Sequence, residues 1–210
     1  MGQFSDDGHW WWDGQVWVAT SQIVIPDLPA TERTKELEAQ VNRYRLLDKA
    51  NLYSYFVPFD GWSLQSTLVW PWLFLYRRAF RAYREWTLEQ FKSATTYLLG
   101  PDEPVLAAEV GLYSEILIGQ VWGGSAVVVT AQHVLILAND KPVGRPRRVL
   151  LAAHPSQVGM RQHAGGILNA YPTILVSAGG QVWPIKGMNG IIQAGPLIAA
   201  WWRVATAVRT

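Results

Sequence analysis

Arg77, Arg78, Arg81 and Arg84 recur at helical spacing, interleaved with Phe80, Tyr83 and Trp86. Guanidinium groups alternating with aromatic rings on one helix suit an anionic lipid surface, where each cation contributes roughly 1 kcal/mol. The apolar run just before them, with Trp70 and Trp72, would enter the same interface. Two other readings compete: a solvated helix face neighboured by Glu85 and Glu89, or a surface that meets an acidic protein partner. A second basic group, Lys141, Arg145, Arg147 and Arg148, forms a candidate anion contact on a loop. The sequence has no phosphate-binding loop, dinucleotide fingerprint, nucleophile elbow or paired-histidine zinc motif. His9, His133, His154 and His163 are scattered, and there is no cysteine, so neither a catalytic group, a metal site nor a cofactor is expected.

The chain has 210 residues, half of them hydrophobic and 16% charged, which describes a globular protein at the apolar end of its class. Its net charge of +2 is too small to argue for nucleic acid. With no cysteine there is no sign of an oxidising compartment, and Asp6 and Asp7 stand where an export signal would need positive charge. The expected location is cytoplasmic, with the inner face of the cell membrane as a docking surface. The uncharged stretch from Gly61 to Tyr76 is sixteen residues long. A spanning helix needs roughly 20, so no transmembrane helix is expected.

Tryptophan clusters mark the units that must position these side chains. Trp10, Trp11, Trp12 and Trp17 frame a β-hairpin over residues 5–20, with Asp13-Gly14 as a two-residue turn. An isolated hairpin is marginal in water, so this one must dock. Its indoles therefore serve either as packing or as a groove for a proline-rich peptide. After a Pro-bounded linker, Ile25 to Pro29, helical periodicity runs over residues 30–56, with Leu37, Val41, Tyr44 and Leu47 as its apolar stripe. It resumes from about Ser63 or Pro71 to Leu99, which predicts an antiparallel helical hairpin over residues 30–99. Beyond Pro101 the pattern turns strand-like: 105–112, 116–121, 126–130, 134–137, 149–153, 157–163, 173–177 and 182–185. A last helix opens at Gly195-Pro196 with Leu197, Trp201, Val204 and Val208 as one stripe. Its second face, with Ile198, Trp202 and Ala205, is apolar too and is a candidate interface.

Short antiparallel strands followed by one helix, together with specific residues, resemble a known family. Leu99-Gly-Pro-Asp-Glu-Pro-Val-Leu106, then Val127-Val-Val-Thr-Ala-Gln-His-Val-Leu-Ile-Leu137, then Gly180-Gln-Val-Trp-Pro-Ile-Lys-Gly187 are similar to motifs of the bacterial pleckstrin-homology-like domains. The resemblance spans about residues 99–208. It implies an antiparallel β-barrel capped by the C-terminal helix, with the basic loop near a barrel mouth. The family has a basic residue where His133 stands, so the departure bears on any anion contact there. Residues 6–17 also resemble a short Trp-rich W-D-G-x-x-W motif of a bacterial domain of unknown function, without its usual opening residues.

The expected fold is therefore α+β in three units: a Trp-rich hairpin and linker (1–29), a helical hairpin (30–99), and a pleckstrin-homology-like barrel with its helix (100–210). The expected function is that of a non-catalytic adaptor, peripheral to the membrane or part of a protein complex. The alternative is a structural subunit of a larger assembly with no lipid binding. Either way a protein partner or self-association is implied.

Overall fold

The computed structural model describes residues 2–47, 73–113, 123–139, 145–163, 173–187 and 194–207. Within them the chain is α+β. The N-terminal segment pairs β1 (Gln3–Phe4), β2 (Trp10–Trp12) and β3 (Trp17–Ala19) into one small antiparallel sheet. Helices α1 (Glu32–Leu47) and α2 (Leu73–Leu99) follow and pack on each other. Then come β4 (Ala107–Tyr113), β5 (Gly123–Val129), β6 (Val134–Ala138), β7 (Arg148–Ala153), β8 (Gly159–His163), β9 (Thr173–Ala178) and β10 (Gln181–Gly187), and finally α3 (Ala194–Ala207). The predicted strand over 116–121 and the C-terminal part of the first predicted helix lie outside the described residues.

The seven later strands form one antiparallel sheet in the order β7-β6-β5-β4-β10-β9-β8. Two meanders are thus joined by the pairing of the first strand with the last. The sequence-based expectation of a barrel is corrected here: among the described residues β7 and β8 remain edges, and the ladder does not close. Between them the chain makes a 3-10 turn at Pro155–Gln157 in place of a continuing strand. Proline has no N–H to give to a ladder. Helix α3 packs on that turn, and the Trp201 Nε1–H donates to the Pro155 carbonyl at 3.1 Å.

The apolar runs of β5 and β6 are continuous because both faces of the sheet are covered. Val127, Val129, Val134 and Ile136 share one core with Ile174, Trp183 and Ile185 and with Leu197, Ala200 and Trp201 of α3. Ala126, Val128, Leu135 and Leu137 point the other way, as strand alternation requires, and meet Phe91, Ala94 and Leu98 of α2. Phe4, Trp11, Ile23 and Ile25 complete that second core. The N-terminal segment and α2 therefore share a core with the sheet, across the boundaries drawn from sequence.

Two features fix the N-terminal segment. Gly8 has φ +70°, and a Cβ there would sit 1.7 Å from the Ala152 carbonyl oxygen in β7, so only glycine permits this approach. The linker then runs beside the exposed edge of β7. Val24 bridges Arg148, and the Ile25 N–H donates to the Arg147 carbonyl at 3.0 Å, covering part of an edge that would otherwise be open to other chains.

Candidate functional site

Strand alternation sorts the tryptophans of the hairpin. Trp11 points inward, is buried, and donates from Nε1 to the Leu98 carbonyl at 3.1 Å, satisfying a free carbonyl in the last turn of α2. Trp10 and Trp12 point outward on the same strand. Trp12 lies opposite Trp17, with ring centroids 5.6 Å apart, and Trp10 and Trp17 are 47% and 50% exposed. The four indoles of the sequence motif thus divide into one anchor and three that make an outward face.

The predicted two-residue turn at Asp13-Gly14 is longer in the structure. The Asp13 N–H donates to the Val16 carbonyl, and Asp13 Oδ1 accepts from the amides of Gln15 and Val16 at 2.7 and 2.8 Å. A short carboxylate that can cap two amides favours this wider loop. The Val16 amide, and next that of Gln15, holds the Asp13 carboxyl below its ordinary value. In the β1–β2 loop, the hydroxyl of Ser5 and then the amide of His9 do the same for Asp7. Both acids border the indole face.

The arginine helix is divided in a comparable way. Arg84, predicted to meet a membrane or partner, faces the sheet instead. Its Nε and Nη2 donate to the two carboxylate oxygens of Glu109 in β4 at 3.1 and 2.7 Å, and Glu109 is only 2% exposed. A charge this far from water needs such a partner, and the forked guanidinium supplies it. Arg81 is exposed. Arg77 and Arg78 lie early in α2, while Trp70 and Trp72 fall outside the described residues.

The basic loop is also largely committed to the chain itself. Arg145 and Arg147 both reach Asp27 Oδ1 of the linker, at 3.6 and 2.8 Å, and Arg145 Nη1 donates to the Leu28 carbonyl at 3.3 Å. They reach across to the linker as a strap, so part of the basic loop is paired within the chain. Arg148 is exposed at the start of β7, and Lys141 lies outside the described residues. The strap roofs a cleft lined by Ile25, Leu28, Thr34, Gln90 and Pro146, where the Gln90 amide has no hydrogen-bond partner among the described residues. On α3, Ile198 packs against the first core and Ala205 is buried. Of the proposed interface only Trp202, 61% exposed, stays open.

Sequence reasoning missed one cluster although it quoted all its members. Glu103, from the acidic opening motif, meets Thr130 and His133, from the strand-pair motif. His133 Nδ1 lies 2.8 Å from Glu103 Oε1, the Thr130 hydroxyl donates to the same oxygen, and the His133 N–H donates to Thr130 Oγ1 at 2.9 Å. The two motifs form one clasp at the β5–β6 turn, and His133 is engaged there. Burial raises the Glu103 pKa, but the hydrogen bonds from His133 and Thr130 outweigh it and leave the carboxyl below its ordinary value. A depressed carboxylate stabilises the fold above its unfolded pKa, and this contribution is lost as pH falls through the folded value. Urea midpoints are therefore expected to decline below about pH 4.5, and Glu103→Gln is expected to flatten that limb.

No protein-family model matches the chain, and no curated protein does. Among the described residues no group of His, Asp and Glu could hold a metal ion. No described helix is long and apolar enough to cross a membrane. The candidate site is thus the outward indole face, a surface held in place by Trp11.

Proposed function

We propose that this chain is a non-catalytic adaptor that docks a protein partner through the N-terminal indole face. The sheet on which this segment docks and the final helix, within about residues 99–208, are read as a pleckstrin-homology-like domain. That reading is supported by two antiparallel meanders, joined through the pairing of the first strand with the last, with a helix following the final strand. The antiparallel helical hairpin belongs to the same reading, supported by the Arg33–Glu85 contact at 3.7 Å between α1 and α2. The observation that carries the adaptor function is the exposure of Trp10 and Trp17 on a segment whose third indole is locked into the core. Soluble surfaces seldom hold large aromatic side chains in a contiguous group without a partner for them.

A protein partner fits better than an anionic bilayer, because Arg84, Arg145 and Arg147 already have carboxylate partners. The site of action is proposed to be the cytoplasm. A second reading, a structural subunit that self-associates, is favoured by one observation, the exposed Trp202 on α3. Sedimentation velocity over a wide concentration range, with and without anionic vesicles, tests these alternatives. The adaptor reading expects a monomer that leaves vesicles unbound at physiological salt. Self-association abolished by Trp202→Glu would favour the subunit. Salt-sensitive vesicle binding lost with Glu at Arg77, Arg78 and Arg81 would replace the adaptor reading with a lipid-binding one.

A further inference from the structure

The indole face has a charge pattern that narrows its partner. Residues 2–20 contain no Lys or Arg, and their acids are Asp6, Asp7 and Asp13. Asp13 follows Trp12 directly in the β2–β3 turn, and Asp6 and Asp7 lie in the loop leading to Trp10. Carboxylates therefore stand at both ends of the exposed indole strip. The strip itself is apolar, with Val16 exposed beside Trp17. An anionic bilayer or a nucleic acid would meet like charge here, whereas a cationic ligand with flat apolar rings would meet complementary charge and indole faces.

The geometry of the indoles bears on the ligand as well. Trp10 and Trp12 are two residues apart on one strand, roughly 6.7 Å. A polyproline II helix advances roughly 9.3 Å per three-residue turn, so less than one turn of it spans the distance from Trp10 to Trp12. Trp12 and Trp17 stand 5.6 Å apart at an interplanar angle of 53°, a tilted pair in mutual contact whose outer faces offer a proline ring an aromatic surface. The strip is preorganised, because Trp11 and Gly8 fix the segment to α2 and β7 before any ligand arrives.

We propose that the Trp10, Trp12 and Trp17 face binds an extended proline-rich peptide carrying arginine or lysine, its prolines on the indoles and its cations at the flanking aspartates. The proposal rests on the adaptor reading and names the chemistry of its partner.

The test is fluorescence anisotropy of a dye-labelled peptide, PPRPPRPP, titrated with the full chain at low and high salt. PPEPPEPP and GGRGGRGG serve as comparison peptides. The expected result is saturable binding of PPRPPRPP alone, weaker at high salt, and reduced about tenfold or more in Trp10→Ala and in Trp17→Ala. Binding of PPRPPRPP in the wild-type chain is also expected to slow hydrogen exchange over residues 10–19, a readout that depends on no variant. No saturable binding, equal binding of either comparison peptide, or unchanged exchange over 10–19 would each overturn the proposal. Such a failure in a chain that stays monomeric and ignores vesicles removes this ligand but leaves the adaptor reading. Vesicle binding or self-association in the sedimentation experiment removes the reading itself.

Discussion

Arg84→Ala is expected to destabilise the chain by about 3 kcal/mol, well above the effect of removing an exposed arginine. The reason lies in its partner. Glu109 is fully enclosed in β4, and both its oxygens accept from the Arg84 guanidinium. Truncating the arginine leaves a carboxylate out of water with its counter-charge gone. Arg84→Lys should recover only part of the loss, because an ammonium cannot reproduce the two parallel hydrogen bonds. The double variant Arg84→Met with Glu109→Leu should recover most of it, since an apolar pair of similar volume removes the need for the charge. Urea unfolding of the three variants measures these differences. A loss under about 1 kcal/mol in Arg84→Ala, the usual range for surface ion pairs, would contradict the buried assignment.

Trp11→Ala is the second large effect, about 3 to 5 kcal/mol from cavity formation in a core shared with Phe4, Ile23, Phe91 and Leu98. The loss also frees the Leu98 carbonyl at the C-terminal end of α2. Trp11→Phe keeps most of the packing and removes only the indole donor, with an expected cost of about 1 kcal/mol. The neighbouring exposed positions behave differently. Trp17→Ala should change stability by no more than about 0.5 kcal/mol. Limited proteolysis gives an independent view: in Trp11→Ala, cleavage within residues 13–16 should accelerate strongly, because the segment loses its anchor. If Trp11→Ala and Trp17→Ala proved equally mild, the inward placement of Trp11 would be wrong.

What the sequence revealed follows the range of the interactions. Periods of two and of three to four residues are local, so β5, β6, β7, β9, β10 and α3 were legible from Ala126–Thr130, Val134–Leu137, Val149–Ala153, Thr173–Ser177, Val182–Ile185 and the Leu197-to-Trp201 stripe. Long-range pairings left no such trace. Nothing in the spacing of arginines on α2 distinguishes Arg84 from Arg81; the difference is Glu109, contributed by a strand that the helix happens to cover. Arg145 and Arg147 looked like a free basic cluster because their acceptor, Asp27, lies over a hundred residues earlier. The β4–β10 pairing that joins the two meanders is non-local as well. The hairpin shows the same limit at short range: Asp13-Gly14 signalled a turn, but which amides the Asp13 carboxylate would cap decided its length. The Glu103 clasp spans thirty residues of sequence and was hidden for the same reason, although its Thr130–His133 half is a local turn contact.

The division of adjacent indoles between anchor and outward face underlies both the docking of the hairpin and its proposed function. Hydroxyl-radical footprinting read by tandem mass spectrometry resolves that division residue by residue in the native chain. Trp10 and Trp17 are expected to oxidise rapidly while Trp11 stays protected until the chain unfolds, with Trp12 between them. Equal oxidation of Trp10, Trp11 and Trp17 in the native chain would contradict the account, because it would mean that the hairpin is not docked and presents no ordered face.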